Sequence, residues 1–367
     1  MILPFHVATT CVPSLSLTAM PSVDLSIIIV SWNVWELLRA CLFSIERASR
    51  PLANTSDGLR SFGEHAQANE SPTLEVIVVD NASTDGTAAR LPAAFPWVTL
   101  VPSSENLGFT RGNNVGYARS RGRFVYFLNP DTELLHDKVH GDSLNLLYHA
   151  VSDDDRVAVA GPQLRYADNT LQESRRRFPT PLTGFFESTW LGRLWRRNPW
   201  TRRLHMADWP GAFRQDVDWL VGAALLARRD ALEAVSLSGQ QGPFDEGYFM
   251  YSEELDLCRR LKQQNWRIVY VPEALVIHFE GKSSDQAPAA RHLHFNTSKV
   301  RYWHTWFGPR WSNYLRRYLL LEYRLQLLLE RAKWLAGHKR ALRTQRIAVY
   351  RQVIASRLAG EPTHTHV

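Results

Sequence analysis

"FLNPDTELL", residues 127–135, is an apolar run that ends abruptly in Asn129, Pro130 and Asp131. The run before these residues is typical of a strand that is buried in a sheet. A turn explains Asn129 and Pro130, because proline fixes φ and asparagine tolerates turn geometry. It does not explain the carboxylate of Asp131. At this point the residue can be read either as part of a turn or as a ligand.

Apolar runs and helical patterns alternate along the chain on both sides of this stretch. The strand-like runs are "LSIIIVSWN" (25–33), "LEVIVVD" (74–80), "WVTLVP" (97–102), "RFVYFLN" (123–129), "WRIVYVP" (266–272) and "ALVIHF" (274–279). The helical patterns include "VWELLRACLFSIERA" (34–48), "GFTRGNNVGYARSR" (108–121) and "SEELDLCRRLKQQ" (252–264). Strands that alternate with helices predict βαβ units, and therefore an α/β fold with a mostly parallel sheet and helices on both faces.

Composition separates three parts of the 367-residue chain. The first, residues 1–22, has no basic segment and is interrupted by prolines, so we predict a disordered leader rather than a signal peptide. The second, residues 23–300, carries the α/β pattern, and its polar stretch 50–73 predicts a surface insertion. The third, residues 301–367, is a basic, helical tail. The three cysteines show no paired spacing, which indicates a reducing compartment without a disulfide or zinc framework.

The charge of the chain is concentrated in this tail. The whole chain has a net charge of +7, yet residues 301–360 hold 13 Lys and Arg against only Glu322 and Glu330. Apolar residues recur there at helical spacing, and we assign one helix face to Leu321, Leu325, Leu328, Ala332 and Leu335. Such a helix fits the surface of an anionic membrane, and packing on its own domain or on a partner subunit is the alternative. No readout motif accompanies the charge, so we exclude nucleic acid as a partner.

Polar residues follow three of the apolar strands. They are Trp32 and Asn33, then Asp80 and Asn81, then Asn129, Pro130 and Asp131. In an open parallel sheet, ligands bind at the carboxyl ends of the strands, so together these ends outline one crevice. Each alone is more often a turn or a helix cap. The chain has neither a GxGxxG nor a GxxxxGK[ST] motif, which argues against dinucleotide binding and P-loop hydrolysis.

Two further groups of residues add carboxylates and an imidazole to the predicted crevice. Glu253, Glu254 and Asp256 fall in the first turn of the predicted helix over 252–264. Acids there are favoured by the helix dipole alone, but one of them is also suited to act as a general base. His278 closes the last apolar strand, where a lone histidine is more often structural. Opposite Asp131, it becomes a candidate ligand for Mg²⁺ or Mn²⁺.

In this order, "VVDNASTDGT", "NLGFTRGNNVG", "LNPDTEL", "GPFDEGYFMYSEELDLCRRL" and "VPEALVIHFEG" resemble family 2 glycosyltransferases of the GT-A fold. The resemblance is to the bacterial rhamnosyltransferase-like branch and covers about residues 23–300. It implies a nucleotide-binding, Rossmann-like sheet. It also implies transfer of a sugar from a nucleotide diphosphate donor, with inversion at the anomeric carbon and dependence on a divalent cation.

The resemblance also assigns roles to single residues. Asp80 occupies the position that contacts the nucleotide base, and Asp131 and His278 occupy the metal positions. Asn129 replaces the first acid of the family's Asp-x-Asp motif. Glu254 stands at the position of the catalytic base, where the family has the shorter aspartate, and Asp256 is its nearest competitor. We assign donor binding to Trp32, Asn33, Asp80, Asn106, Gly108, Asn114 and Asn129. Arg259 and Arg260 face either the diphosphate or solvent.

These inferences predict a cytoplasmic enzyme that is peripheral at the inner face of the cell membrane. By branch resemblance the donor is dTDP-rhamnose, and the acceptor is a polyprenyl-diphosphate-linked saccharide or another cell-envelope glycan. A non-catalytic sugar-nucleotide-binding module is the alternative, because two motif positions, Asn129 and Glu254, depart from the family pattern.

Overall fold

A computed structural model describes residues 23–52, 58–63, 71–137, 141–187, 189–279 and 288–358. The leader predicted over 1–22 lies outside these ranges. The strands are β1 (Leu25–Ser31), β2 (Ser49–Pro51), β3 (Arg60–Phe62), β4 (Thr73–Asp80), β5 (Val98–Pro102), β6 (Phe124–Leu128), β7 (Thr132–Leu134), β8 (His136–Asp137), β9 (Gly141–Asp142), β10 (Val157–Arg165), β11 (Leu171–Gln172), β12 (Arg175–Arg176), β13 (Gln215–Asp216), β14 (Trp219–Leu220), β15 (Ala224–Arg228) and β16 (Arg267–His278). The helices are α1 (Trp35–Arg47), α2 (Thr87–Ala94), α3 (Gly108–Arg119), α4 (Ser143–Ser152), α5 (Thr183–Phe186), α6 (Trp190–Leu194), α7 (Pro199–Leu204), α8 (Arg229–Ala234), α9 (Glu253–Gln263), α10 (Pro288–Leu335) and α11 (Arg340–Ser356).

One large sheet organises the domain. Its strand order is β13-β16-β10-β15-β6-β1-β4-β3-β2, with β5, β7 and β11 paired at the side of this path. The strands β5, β4, β1 and β6 are mutually parallel, and β10 is parallel to β16. Between these two parallel groups lies β15, which is antiparallel to both of its neighbours. The residues of β15 form an apolar run in the sequence, but a pattern along the chain does not give the direction of a strand.

Both faces of the sheet are covered by helices. Along β1, Ile27 and Ile29 face one apolar cluster with α1 and α4, whereas Ile28 faces the other, which includes Tyr117 of α3. This alternation follows from the two-residue period of a strand. Helix α3 approaches β1 so closely that a Cβ on Gly116 would lie 2.4 Å from the Ile28 side chain. The predicted α/β fold, with helices on both faces and C-terminal helices, is confirmed.

Part of the stretch 50–73 belongs to the sheet. Strand β3 pairs with the edge of β4 and β2 pairs with β3, and Arg60 is only 4% exposed. The Arg60 guanidinium lies over the Trp97 ring at 4.6 Å and donates to Ser49 Oγ. The structure therefore differs from the predicted surface insertion at these strands. The polar composition predicted a loop, but a polar sequence can still pair its backbone at a sheet edge.

The predicted tail is not a separate unit. Helix α10 runs across the predicted boundary at residue 300, and its first part packs on the domain through Tyr302 and Trp303, both nearly inaccessible. The helix is interrupted at Gly308, which has φ 85° and ψ 171°, and its second part packs against α11. Within the part of the chain that the structure describes, no helix combines the length and apolar content that a bilayer crossing requires.

Candidate active site

The ends of β1 and β4 are tied together by side chains of the following loops. Asn33, in a left-handed conformation with φ 53°, accepts a hydrogen bond from the Thr84 backbone N–H at 2.7 Å, and its own N–H donates to Ser83 Oγ at 3.0 Å. Ser83 also hydrogen-bonds the carboxylate of Asp80. Asp80 is 3% exposed, and its Oδ1 atom has no partner among the described residues. Burial raises the pKa of Asp80, and the bonds from Ser83 oppose that shift.

The turn before α3 is shaped by Asn81, which the sequence placed at a strand end but to which it assigned no role of its own. Asn81 donates from Nδ2 to Asn106 Oδ1 at 2.8 Å and accepts from the Leu107 N–H at 2.8 Å. Gly108 has φ 76°, and a Cβ there would lie 2.5 Å from the carbonyl oxygen of Phe249. The same carbonyl accepts from the Phe109 N–H at 2.8 Å. The side chain of Asn106 and the backbone conformation of Gly108 therefore shape this corner of the crevice.

Asn114 has its polar atoms fully engaged within the protein. Its Nδ2 donates to the Phe244 carbonyl at 2.9 Å and to Glu246 Oε1 at 3.0 Å, and its Oδ1 accepts from the Phe244 N–H at 3.1 Å. The residue is fully buried in α3. This geometry argues against the donor-binding role predicted for Asn114, because binding a ligand would require breaking these bonds. Asn114 instead fixes the loop before α9 to α3.

Asp131 and His278 meet at the carboxyl end of the sheet. Strand β7 pairs with β16 so that Thr132 lies opposite His278, and the Phe279 N–H donates to the Asp131 carbonyl at 2.9 Å. This register puts His278 Nε2 3.4 Å from Asp131 Oδ1, with both side chains less than a tenth exposed. The other ring nitrogen, Nδ1, lies 3.0 Å from Gln172 Oε1.

This pair has the chemistry of an incomplete divalent cation site. Carboxylate oxygen and neutral imidazole nitrogen suit Mn²⁺ or Mg²⁺, and Gln172 provides the hydrogen bond that commonly orients a ligating histidine. The nearby Asn129 Oδ1 is buried without a partner among the described residues. The described residues contain no group of three or more His, Cys, Asp or Glu placed to hold a metal ion. The residues thus fit a cation whose remaining ligands are diphosphate oxygens and water.

Two adjacent carboxylates begin α9. The chain enters the helix through Tyr251 and Ser252, both in the left-handed region, at φ 71° and 68°. Burial raises the pKa of Glu253 well above its ordinary value, and the charge of Glu254 raises it further. Burial also raises the pKa of Glu254, against hydrogen bonds from backbone N–H groups that include that of Gly222. Each carboxylate keeps its Oε2 atom without a partner among the described residues.

Glu254 is linked to the metal corner through a short loop. A Cβ on Gly222 would touch the Glu254 side chain at 3.4 Å, so the absence of a side chain lets the two segments approach. The next residue, Ala223, accepts a hydrogen bond from the Asn129 N–H at 2.9 Å. The loop between β14 and β15 therefore connects the first turn of α9 to the end of β6, where Asp131 follows.

Residues 26–227 match the sequence model of the family described as Glycosyl transferase family 2. The chain belongs to the family 2 glycosyltransferases. The match begins in β1 and ends in β15, so it contains the ends of β1, β4 and β6 and stops before α9 and His278.

Characterised relatives of this glycosyltransferase place it in the rhamnosyltransferase-like branch. An N-acetylglucosaminyl-diphospho-decaprenol L-rhamnosyltransferase of Mycobacterium tuberculosis is 35% identical over 61% of this chain and 72% of that protein. The rhamnosyltransferase WbbL of Escherichia coli K12 is 33% identical over 47% of this chain and 61% of that protein. A solved mannosyltransferase from Pyrobaculum calidifontis, in complex with GDP-Man and Mn²⁺, aligns with a TM-score of 0.48 and 16% identity over 92% of this chain and 87% of that chain.

In this glycosyltransferase Asp256 has a structural role. Its Oδ2 atom accepts from Arg260 Nε at 2.8 Å, and its Oδ1 atom accepts from Trp306 Nε1 of α10 at 2.8 Å. The side chain is 3% exposed. This geometry argues against the catalytic role predicted for Asp256, because both oxygens already carry buried hydrogen bonds. Of the two acids of the first turn that keep an unpartnered oxygen, Glu253 and Glu254, the family resemblance assigns the candidate base to Glu254.

The two arginines that the sequence left open also have structural partners. Arg260 donates to the Pro243 carbonyl at 2.8 Å in addition to its bonds with Asp256. Arg259 is enclosed by the aromatic rings of Phe178, Tyr302, Trp306 and Phe307, and its NH1 donates to the Tyr302 hydroxyl at 2.8 Å. Both arginines stabilise the packing of α10 against the domain, and they do not face the strand ends.

Proposed function

We propose that this enzyme transfers rhamnose from a nucleotide diphosphate donor to a polyprenyl-diphosphate-linked saccharide, with inversion and with a divalent cation. The observation that carries the proposal is the buried Asp131–His278 pair, 3.4 Å apart, at the end of β6. The same strand end is linked through the loop around Gly222 to the buried carboxylate of Glu254. The sugar and the acceptor class are supported by the relatives from M. tuberculosis and E. coli.

In this proposal Asp131 and His278 hold the cation, and Gln172 fixes the orientation of the His278 ring. A cation held there would neutralise the negative charge that develops on the departing nucleotide diphosphate. Asp80, whose Oδ1 atom lacks a partner among the described residues, is available to the nucleotide base. Trp32, Asn33 and Asn129 line the adjacent strand ends.

Glu254 acts on the acceptor in this proposal. The acceptor hydroxyl forms a bond to the anomeric carbon as the bond from that carbon to the diphosphate oxygen breaks, and Glu254 takes the hydroxyl proton. Attack from the face opposite the diphosphate inverts the anomeric configuration. Burial raises the pKa of Glu254, which makes its ionised form a stronger base than an ordinary carboxylate.

A panel of nucleotide sugars tests the proposal. We expect nucleotide release from dTDP-rhamnose to exceed release from UDP- and GDP-sugars, to rise with a lipid-linked saccharide, and to stop in chelator. Asp131→Ala should abolish the metal-dependent rate, whereas Asp168→Ala, in an exposed turn, is the control. If no donor releases nucleotide, or if chelator leaves the rate unchanged, the proposed chemistry is wrong. Because the proposed acceptor is lipid-linked, we also propose that the enzyme is peripheral at the inner face of the cell membrane.

A further inference from the structure

The second part of α10 carries a stripe of apolar residues that faces outward. Leu315 and Leu319 pack inward, but five later leucines are 45–72% exposed, and we call these five, with two preceding aromatic residues, the outer stripe: Trp311, Tyr314, Leu321, Leu325, Leu328, Leu329 and Leu335. The sequence had assigned most of these leucines to one helix face. The structure turns that face away from the protein. The helix is therefore apolar inward, at Leu315, Leu319 and Tyr323, and apolar outward as well, unlike an ordinary surface helix.

Charged side chains occupy the inward face towards the C-terminal end of α10, around Glu330. Glu330 is 7% exposed and accepts from Arg343 of α11 at 2.8 Å, and Arg343 is 8% exposed. Lys333 and Arg346 lie within 3.7 Å of the same carboxylate. Because these ion pairs and the apolar cluster that includes Leu319, Tyr323 and Val353 hold the helix hairpin together, burial of the outer leucines is not needed to hold it. Their exposure calls for an outside partner.

A row of arginines runs beside the outer stripe. Arg317, Arg324 and Arg331 are exposed and seven residues apart, so they lie along one side of α10. At 1.5 Å per residue, the stripe from Trp311 to Leu335 is about 36 Å long. An apolar stripe with aromatic residues, bordered by basic side chains, matches a helix that lies in the plane of an anionic membrane surface.

A second copy of the chain is the main competing partner, because the stripe has the 3-4 spacing of a coiled-coil seam. Charge opposes that pairing. In an antiparallel pair the row of Arg317, Arg324 and Arg331 would face its own copy. In a parallel pair only Glu322 would oppose an arginine, and Glu322 is 5% exposed and bonded to Gln326.

We propose that the outer stripe and its arginine row form a docking surface for an anionic lipid bilayer. The leucines and aromatic side chains enter the boundary between headgroups and acyl chains, and the three arginines bind lipid phosphates. The inference identifies the surface through which the enzyme would contact the membrane in the peripheral location proposed above. It does not depend on any step of donor or acceptor chemistry.

Vesicle flotation of the full chain, without donor, tests this surface. We expect binding to vesicles that contain one third phosphatidylglycerol, weak binding to pure phosphatidylcholine, and loss of binding as salt increases. The triple variant Leu321→Gln, Leu325→Gln, Leu328→Gln should bind about tenfold more weakly or worse. Replacing Arg317, Arg324 and Arg331 with Gln should weaken binding about fivefold for each arginine at low salt.

The exposed residues Leu237 and Arg119, each changed to Gln, are matched controls that should bind like the parent. Far-ultraviolet circular dichroism and thermal melting check that each variant is folded. The proposal is overturned if the parent does not float with anionic vesicles, or if both triple variants bind like the parent. It is also overturned if light scattering shows a dimer that the leucine variant dissociates while vesicle binding stays unchanged. A chain that binds vesicles but transfers no sugar overturns the proposed function alone.

Discussion

Gln172 Oε1 lies 3.0 Å from His278 Nδ1 and thereby determines which nitrogen of the ring is turned toward Asp131. An amide oxygen only accepts hydrogen bonds, so this contact favours the tautomer that has its proton on Nδ1 and the Nε2 lone pair on the side of Asp131. Gln172 lies in the short strand β11, which pairs with β10. The hairpin that carries it is thus part of the candidate metal site.

We predict that Gln172→Leu lowers the affinity for Mn²⁺ by about 10- to 100-fold, because the ring of His278 loses the bond that orients it. Electron paramagnetic resonance of Mn²⁺ titrated into the protein with nucleoside diphosphate measures this affinity. Gln163→Leu, on the neighbouring strand β10, is the matched control and should bind Mn²⁺ like the parent. Equal affinities for the Gln172 variant and the parent would remove the orienting role.

Glu254→Gln should lower kcat by about 10²- to 10⁴-fold and leave the Kd of the donor nearly unchanged, because a general base acts in the transition state. Glu254→Asp should retain more activity than Glu254→Gln, since it keeps a carboxylate. Single-turnover transfer and calorimetric titration of the nucleotide separate the two effects. A Gln variant that turns over at the parental rate would show that the base lies elsewhere.

The buried carboxylate of Glu253 makes stability depend on pH. Burial and the charge of Glu254 raise its pKa in the folded state, so the folded protein retains the proton longer than the unfolded chain does. The stability that this group contributes is fully present below the unfolded-state pKa and is lost as pH rises toward the folded-state value. Glu253→Gln should therefore raise Tm relative to the parent at pH 8 and have little effect near pH 4. Melting curves across this range check the prediction, and a Tm difference that is constant with pH would contradict it.

Asp256→Ala should lower the free energy of unfolding by about 3 kcal/mol, because it leaves Arg260 buried without its acid and Trp306 without its acceptor. Asp256→Asn keeps an acceptor for Trp306 and should cost less. Urea unfolding measures the change, and kcat below the melting range should stay within a few-fold of the parent for the Asn variant. A fully folded but inactive Asp256→Asn variant would indicate that Asp256, and not Glu254, is the general base.

Much of the fold and part of the site could be predicted from local pattern. The strands β1, β4 and β6 are continuous apolar runs because both of their faces are buried, and their polar ends were visible as breaks in those runs. The structure brings Asp131 and His278 together, although their functional roles remain predictions. Asn114 and Asp256 lay in the right motifs, but their partners Phe244 and Trp306 belong to other segments and were invisible along the chain.

The sequence by itself determined the family, the alternation of strands and helices, and which strand ends carry carboxylate, amide and imidazole side chains, because periodicity and motifs are local properties. Only the tertiary structure decided that Gln172 hydrogen-bonds His278, 106 residues away, and that Trp306 donates a hydrogen bond to Asp256, 50 residues away. Those contacts depend on sheet register and on where α10 is seated. The tertiary structure also decided that the outer stripe faces away from the protein. An amphipathic pattern defines two helix faces, and only packing determines which of them is buried.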